Sequence, residues 1–451
     1  MTSMPDGFLW GTATASYQIE GAVDVDGRSP SIWDTFSAKP GATRHGDTGT
    51  IACDSYRRWR EDVDLLSDLG LSAYRFSIAW PRVLPDGRGR VNQAGLDHYS
   101  ALVDTLLERG ITPAVTLYHW DLPQVLEDTG GWTSRSIVDA FEEYTTVVTA
   151  ALGDRVPMWI TLNEPWVASF IGYGAGRHAP GVRDGVAALR AAHHMLLAHG
   201  RAMQVLQGVS GTAGITLSLS PARAASDSAA DTDAARRKDG NSNRWFLDPL
   251  LLGSYPEDMV EWYASDLDGI VADGDFELIA APMDFLGINY YFRTHAAAGD
   301  DAADTMAVLP LLDAHSVVPR SLATTQMGWP VEADGLTELL VRLRRDYSDL
   351  PPIYITENGA AYDDYVDPEG GVDDEERIAY LDGHLRAVQD AIAEGVDVRG
   401  YFCWSLMDNF EWAEGYSKRF GLYFVDYPTQ QRIPKASARW YADVVRRNAL
   451  P

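Results

Sequence analysis

The sequence predicts an α/β protein built as a single (β/α)8 TIM barrel with elaborated βα loops, one domain over residues 1–451. Three observations lead there. Short apolar or β-branched runs recur near 8–13, 73–79, 112–118, 157–162, 214–219, 285–290, 352–356 and 400–405. Segments of helical spacing lie between them. In YRRWREDVDLLSDL at 56–69 and GLDHYSALVDTLLER at 95–109, apolar residues return every three or four positions, and each segment is followed by a glycine, Gly70 or Gly110. No linker rich in Pro, Ser and Gly interrupts this order. At ~150 residues per domain the length would allow about three domains, yet α/β barrels run beyond about 250 residues as one unit. An open doubly wound sheet has the same periodicity, so the unbroken alternation carries the choice of a closed barrel.

Two stretches depart from the alternation. The polar, Ala-rich segment 223–243 is expected as a solvated helix and loop between the fifth and sixth strands. Residues 297–316 have no clean period and are expected as a surface insertion.

Composition narrows the function. The chain is 46% apolar and carries a formal charge of −28. A deficit of basic residues argues against nucleic acid and against anionic membrane surfaces, both of which need a positive footprint. The only cysteines are Cys53 and Cys403, so neither a disulfide framework nor a cysteine-rich metal cluster can be built, and a reducing compartment is expected. The amino terminus, MTSMPDGFLWGTATAS, has no Lys or Arg ahead of its apolar residues and contains Asp6. No apolar run approaches the ~18 residues of a membrane span. The expected location is therefore cytoplasmic. The sequence is also compatible with a homo-oligomer.

In a parallel barrel the site is assembled from residues just after each strand. Those positions hold carboxylates, amides, His and aromatics. Asn163 and Glu164 follow the fourth run, and Glu357 and Asn358 close the seventh. His119 and Trp120 follow the third, and Arg75 lies in the second. The sixth ends in Asn289, Tyr290 and Tyr291. Trp404, Glu411 and Trp412 follow the eighth, and Gln18 and Glu20 the first. An exposed, salt-bridged Glu is the ordinary case, so neither glutamate is informative alone; their coincidence at strand ends is. Two carboxyls at one mouth suit glycosidic bond cleavage, where one protonates the leaving oxygen and the other attacks the sugar or activates water. Trp faces suit a pyranose ring, and amides suit its hydroxyls.

The motifs FLWGTATASYQIEGA at 8–22, TLNEP at 161–165, YITENG at 354–359 and WSLMDNFEWAEGYSKRFGLYFVDY at 404–427 resemble glycoside hydrolase family 1 over nearly the whole chain. The resemblance implies a barrel enzyme that hydrolyses β-glycosides with retention, its two carboxyls ~5 Å apart. It implies Glu164 as general acid and then base, and Glu357 as nucleophile. Gln18, His119, Asn163, Glu411 and Trp412 match sugar-binding positions, and Trp404 matches the platform beneath the sugar. Trp120, Tyr291 and Phe420 complete the candidate sugar-binding set. Arg75, Asn289 and Tyr291 are the candidates for keeping Glu357 anionic. Trp166, His178 and Trp329 resemble residues of the outer, aglycone subsite.

Within such a family, phosphorylated and neutral substrates must be separated. Glu411 would repel a phosphate dianion and would accept bonds from the 4- and 6-hydroxyls. Lys418 falls where a phosphate ligand would, but Phe420 stands where Tyr would be expected, and Lys418 is expected as a solvated loop lysine. The sequence thus points to a retaining β-glucosidase acting on small-molecule β-glycosides such as cellobiose, with β-galactosidase and β-fucosidase side activity. A 6-phospho-β-glucosidase, transglycosylation as the main activity, and a catalytically silent carbohydrate-binding barrel remain as alternatives. No cofactor and no metal are expected. There is no HExxH, and His193, His194 and His199 are expected as ordinary helix residues.

Overall fold

The computed structural model describes residues 3–301 and 307–451. Its centre is a closed barrel of eight parallel strands: β1 (Leu9–Ala13), β2 (Ala73–Ser77), β3 (Thr112–Tyr118), β4 (Met158–Asn163), β5 (Thr212–Ser218), β6 (Phe285–Asn289), β7 (Ile353–Asn358) and β8 (Val398–Trp404). Each strand pairs with its neighbours in sequence, and β1 closes the ring on β8, with Leu9 opposite Gly400 and Ala13 opposite Trp404. Every one of the eight apolar runs read from the sequence contributes a barrel strand. Both faces of these strands are covered, by the barrel interior on one side and the helical layer on the other, so they read as continuous rather than alternating apolar runs.

The barrel interior mixes large and small side chains. Met158, Ile160, Phe285 and Phe402 fill it between Ala13, Ala73 and Ala114. Outside the barrel, helices Ser55–Asp68 and Gln93–Glu108 occupy the two segments of helical period, burying Trp59, Val63 and Leu66 in the first and Leu102, Val103 and Leu106 in the second. Gly70 and Gly110 then take φ of 69° and 70°, the left-handed conformation that ends a helix at low cost for glycine.

The insertions are more ordered than their composition indicates. Residues 223–243 do contain a helix, Ala229–Asp239, capped by Ser228, but its last turn is buried rather than solvated. The cause is charge: Asp239 accepts from Arg342 at 2.5 and 2.8 Å and from Arg244 at 3.0 Å. Thr294–Ala298, within and beside the expected insertion 297–316, is the middle strand of a three-stranded sheet, paired with Ala222–Ala224 on one side and with Ala314–Val317 on the other. Of that stretch, 302–306 lie outside the described residues. Among the described residues no helix is long and apolar enough to cross a membrane.

His193, His194 and His199 are buried in the helix Gly185–Leu206. Their rings bond to Tyr255 and Asp275, to the carbonyl of Trp132, and to Thr161. Cys403 is buried in β8, and the buried Cys53 thiol donates to the Asp408 carbonyl.

Candidate active site

Glu164 and Glu357 reach the C-terminal mouth from β4 and β7, and both strands change register just before they arrive. The β4–β5 pairing shifts between Ile160 and Asn163, and the β6–β7 pairing between Ile355 and Glu357. Such irregularities at a barrel rim re-aim side chains that regular pleating would send elsewhere. Glu164 also has φ of 47°, as Trp120 (75°) and Trp412 (48°) do. Non-glycine residues pay strain for that conformation, and three of them at one mouth mark a functional site. At Gly359 a Cβ would lie 1.9 Å from the Trp404 carbonyl oxygen, so the ENG turn can approach β8 only with glycine there.

Arg75 organises the floor. Its Nη1 lies 2.6 Å from Glu357 Oε1 and 3.1 Å from the Thr356 carbonyl; Nη2 donates to Asn163 Oδ1 at 2.5 Å, and Nε to Thr116 Oγ1 at 3.1 Å. The Tyr291 hydroxyl donates to Glu357 Oε2 at 2.6 Å. Asn289, read from the sequence as a support for Glu357, also serves Glu164: its Nδ2 lies 2.5 Å from Glu164 Oε1 and 3.1 Å from Asn163 Oδ1.

These contacts split two identical carboxyls. Burial, then the negative charge of Glu357, pushes Glu164 up to about 8, against the hydrogen bond from Asn289 and the charge of Arg75. Burial raises Glu357 as well, but Arg75 and the Tyr291 hydroxyl oppose that rise. The two groups titrate as a pair. The cation and the hydroxyl favour the charged form of Glu357, so within the pair Glu357 is the carboxylate and Glu164 holds the proton. The arrangement can therefore supply an acid and an anionic nucleophile to one bond.

Around this pair lie buried polar atoms that find no partner among the described residues: Gln18 Oε1, His119 Nδ1 and Glu411 Oε2. Gln18 spends its Nε2 on Asn409 Oδ1 and the Phe410 carbonyl, at 3.0 and 2.8 Å, which leaves Oε1 as a free acceptor. The His119 tautomer follows from its neighbours. Asn163 Oδ1 accepts from Arg75, so Asn163 Nδ2 must donate to His119 Nε2, 3.1 Å away, and the ring proton sits on Nδ1. Burial, then Arg75, holds His119 well below the usual imidazole range, so the ring is neutral. Burial, then the charge of Glu357, pushes Glu411 up to about 8. Unpaired buried donors and acceptors cost free energy in an empty protein, and a ligand bearing several hydroxyls offsets that cost.

Aromatic rings line the remainder. His119 stacks near Trp404 and Trp412, with centroids 6.0 Å apart in both cases, and Trp120 and Trp412 pack at 4.6 Å. The three residues assigned to the outer subsite have separate surroundings. Trp329 packs on Phe292 at 5.1 Å, Tyr291 at 5.3 Å and Phe420 at 6.1 Å. Trp166 donates its Nε1 to Asn241 at 2.8 Å. His178 packs among Trp33, Trp120 and Trp412, on the same aromatic wall as the sugar-binding candidates. Lys418 differs from the expected solvated lysine: it is half-buried and its Nζ donates to the Gln326 carbonyl at 2.6 Å. That bond ties the loop after β8 to the segment carrying Trp329, and no local pattern announces it.

Sequence reasoning missed several contributors. Thr116, Thr356 and Asn409 bond directly to named site residues, and Trp33 and Phe292 extend the aromatic walls. A threonine in a strand reads only as β-propensity, although Thr356 does fall within YITENG.

A paired-carboxyl site at the C-terminal mouth of a parallel barrel places the protein among barrel hydrolases. The chain belongs to glycosyl hydrolase family 1, whose family model matches residues 1–450. It is 49% identical over 449 residues to β-glucosidase A of Thermotoga maritima, covering 99% of this chain and 98% of that protein. It is 48% identical over 455 residues to a bifunctional β-D-glucosidase/β-D-fucosidase of Bifidobacterium breve, covering 97% of each. The solved family 1 β-glucosidase of T. maritima matches with a TM-score of 0.95 at 48% identity, over 100% of this chain and 99% of that one.

Proposed function

We propose that the protein is a retaining exo-β-glucosidase that releases terminal glucose from short β-glucosides such as cellobiose, with activity on β-fucosides and β-galactosides. The observation that carries this reading is the division of labour between the two carboxyls, with Glu357 held by Arg75 and Tyr291 while Glu164 is pushed up to about 8. The names of its relatives in Thermotoga and Bifidobacterium support glucoside and fucoside as substrates.

In the first step a Glu357 oxygen attacks the anomeric carbon, the glycosidic C–O bond breaks, and the leaving oxygen takes the proton of Glu164. Esterified Glu357 has no charge, so the repulsion that added to burial in keeping Glu164 protonated is gone. Glu164 is now a base. In the second step it takes a proton from water, the water oxygen attacks the anomeric carbon, and the bond to Glu357 breaks to restore the carboxylate. The orphan atoms on Gln18, His119 and Glu411 would hold sugar hydroxyls. The unpaired Oε2 of the half-buried Glu411 and the engagement of Lys418 with the Gln326 carbonyl favour a neutral sugar over a phosphorylated one. A cytoplasmic location is part of the proposal and rests on two buried free thiols.

The test is kcat/KM on nitrophenyl β-D-glucoside, galactoside, fucoside and glucoside 6-phosphate, with Glu357→Gln as control. The proposal expects glucoside and fucoside turnover that falls by roughly 10⁴-fold or more in the variant. Turnover of the phosphorylated ester alone would overturn the substrate assignment. Unchanged turnover in Glu357→Gln would overturn the mechanism.

A further inference from the structure

Asn289 joins the two halves of the site, and its own orientation has a cause outside the site. Its Oδ1 accepts the hydroxyl proton of Thr356 at 2.8 Å, and Thr356 Oγ1 in turn accepts from the Thr216 hydroxyl at 3.2 Å. The relay crosses three strands: Thr216 on β5, Asn289 on β6 and Thr356 on β7. The two threonines can meet across β6 because residue 287 is glycine. A Cβ there would lie 2.3 Å from Thr216 Oγ1 and 3.0 Å from Thr356 Oγ1. At the other end of the amide, Nδ2 donates to Glu164 Oε1 and to Asn163 Oδ1. All three threonine and asparagine side chains are buried, so each bond excludes an alternative made to water.

We propose that Thr356 is a positioning residue for the second half of the reaction: its hydroxyl, set by Thr216 across Gly287, fixes the Asn289 amide with its NH2 toward Glu164 and so favours the carboxylate that must act as base. This rests on the reading of Glu164 as acid and base. A donor aimed at Glu164 stabilises its anion, which hinders the acid step slightly and assists the base step. The other charged and titratable groups around the pair are Glu357 on β7, Arg75 on β2, Glu411 after β8, Tyr291 after β6 and the neutral His119 after β3. None of them donates to Glu164 in place of Asn289. Without the Thr356 hydroxyl, Asn289 Oδ1 is buried and unpaired, and the protonated Glu164 becomes a donor it can take.

The test compares wild type with Thr356→Val, Thr356→Ala and Thr356→Ser, with Glu164→Ala measured in parallel. The alkaline limb of kcat/KM should move up by about one pH unit in the Val and Ala variants, a differential interaction of about 1.4 kcal/mol. With dinitrophenyl β-glucoside, whose second step limits turnover, kcat should fall roughly tenfold while kcat/KM changes less. Ser restores the hydroxyl and should restore both values. A wild-type limb and kcat in Thr356→Val, alongside the expected collapse of Glu164→Ala, overturns the relay alone. Unimpaired Glu164→Ala overturns the acid/base reading beneath it. Loss of folding in both Val and Ala variants, or failure of Ser to rescue, makes Thr356 structural and also overturns the inference.

Discussion

Arg75 Nη1 lies 2.6 Å from Glu357 Oε1, with the side chains 0% and 4% exposed, in an ion pair that spans 282 residues of sequence. The same guanidinium fixes Asn163 and the Thr356 carbonyl, so charge and geometry at Glu357 come from one group. Truncating one partner of a buried pair leaves the other charge uncompensated.

Arg75→Met should therefore raise the Glu357 carboxyl further, because the cation that opposes burial is gone. The acid limb of kcat/KM moves to higher pH and activity falls over the range where Glu357 is newly protonated. Arg75→Lys should fail to restore wild-type behaviour, since a point ammonium cannot hold the four acceptors that the guanidinium fork holds. A pH–rate profile for each variant checks both statements; an acid limb unmoved in Arg75→Met would refute the assignment.

The coupling between the carboxyls has a definite sign. Glu357 raises Glu164 by like charge, so removing that charge should lower Glu164 from about 8. In Glu357→Gln, titration of Glu164 followed by infrared difference spectroscopy or carboxyl ¹³C shifts should come at lower pH than in wild type. Titration at the same pH or higher would show that the two groups do not communicate.

Glu411 Oε2 is a buried acceptor without a partner among the described residues, and burial, then the charge of Glu357, pushes the group up to about 8. If it accepts from the 4- and 6-hydroxyls, Glu411→Gln should reduce kcat/KM on the glucoside near neutral pH roughly 3- to 10-fold, corresponding to about 0.5–1.5 kcal/mol for a bond between uncharged groups. The fucoside, which lacks a 6-hydroxyl, should lose less, so the glucoside-to-fucoside ratio falls. Equal losses on both would place Glu411 away from the 6-position.

Asp408, in the loop after β8, belongs to a buried ionic cluster. Lys435 Nζ is 2.5 Å from Asp364 Oδ2 and 2.7 Å from Asp408 Oδ1, and Asp408 also accepts from the Gly421 N–H and from Arg419. Lys435→Met should destabilise the fold by about 3 kcal/mol at neutral pH, read from chemical denaturation. Burial alone would raise Asp408, but Lys435 and Arg419 hold it below the usual carboxylate range. A depressed carboxyl contributes stability above its unfolded value and loses it as pH falls through the folded one. The gap between variant and wild type should accordingly be full above about pH 4 and close in stronger acid. A gap that widens in acid would contradict this account.

Much of the architecture was legible because its causes are local. Apolar runs and helical periods mark strands and helices, and β7, with Glu357 inside YITENG, could be placed from its own residues and neighbours. The insertions were not legible in this way. Thr294–Ala298 and Ala314–Val317 are weak strand formers by composition; the first pairs with Ala222–Ala224 and the second with the first, partners set by segments separated along the chain.

The site divides along the same line. By itself the sequence determined which residues stand at strand ends, Gln18, Arg75, His119, Glu164, Asn289 and Glu357 among them, because a parallel barrel turns strand order into a ring of positions at one mouth. Only the tertiary structure decided what each does there: that Asn289 donates to Glu164, that Lys418 is taken by the Gln326 carbonyl, and that His119 carries its proton on Nδ1. Hydrogen-bond direction and the energy of a buried charge depend on which atoms lie within about 3 Å. Those neighbours come from strands hundreds of residues apart, whose approach is fixed only when the barrel closes.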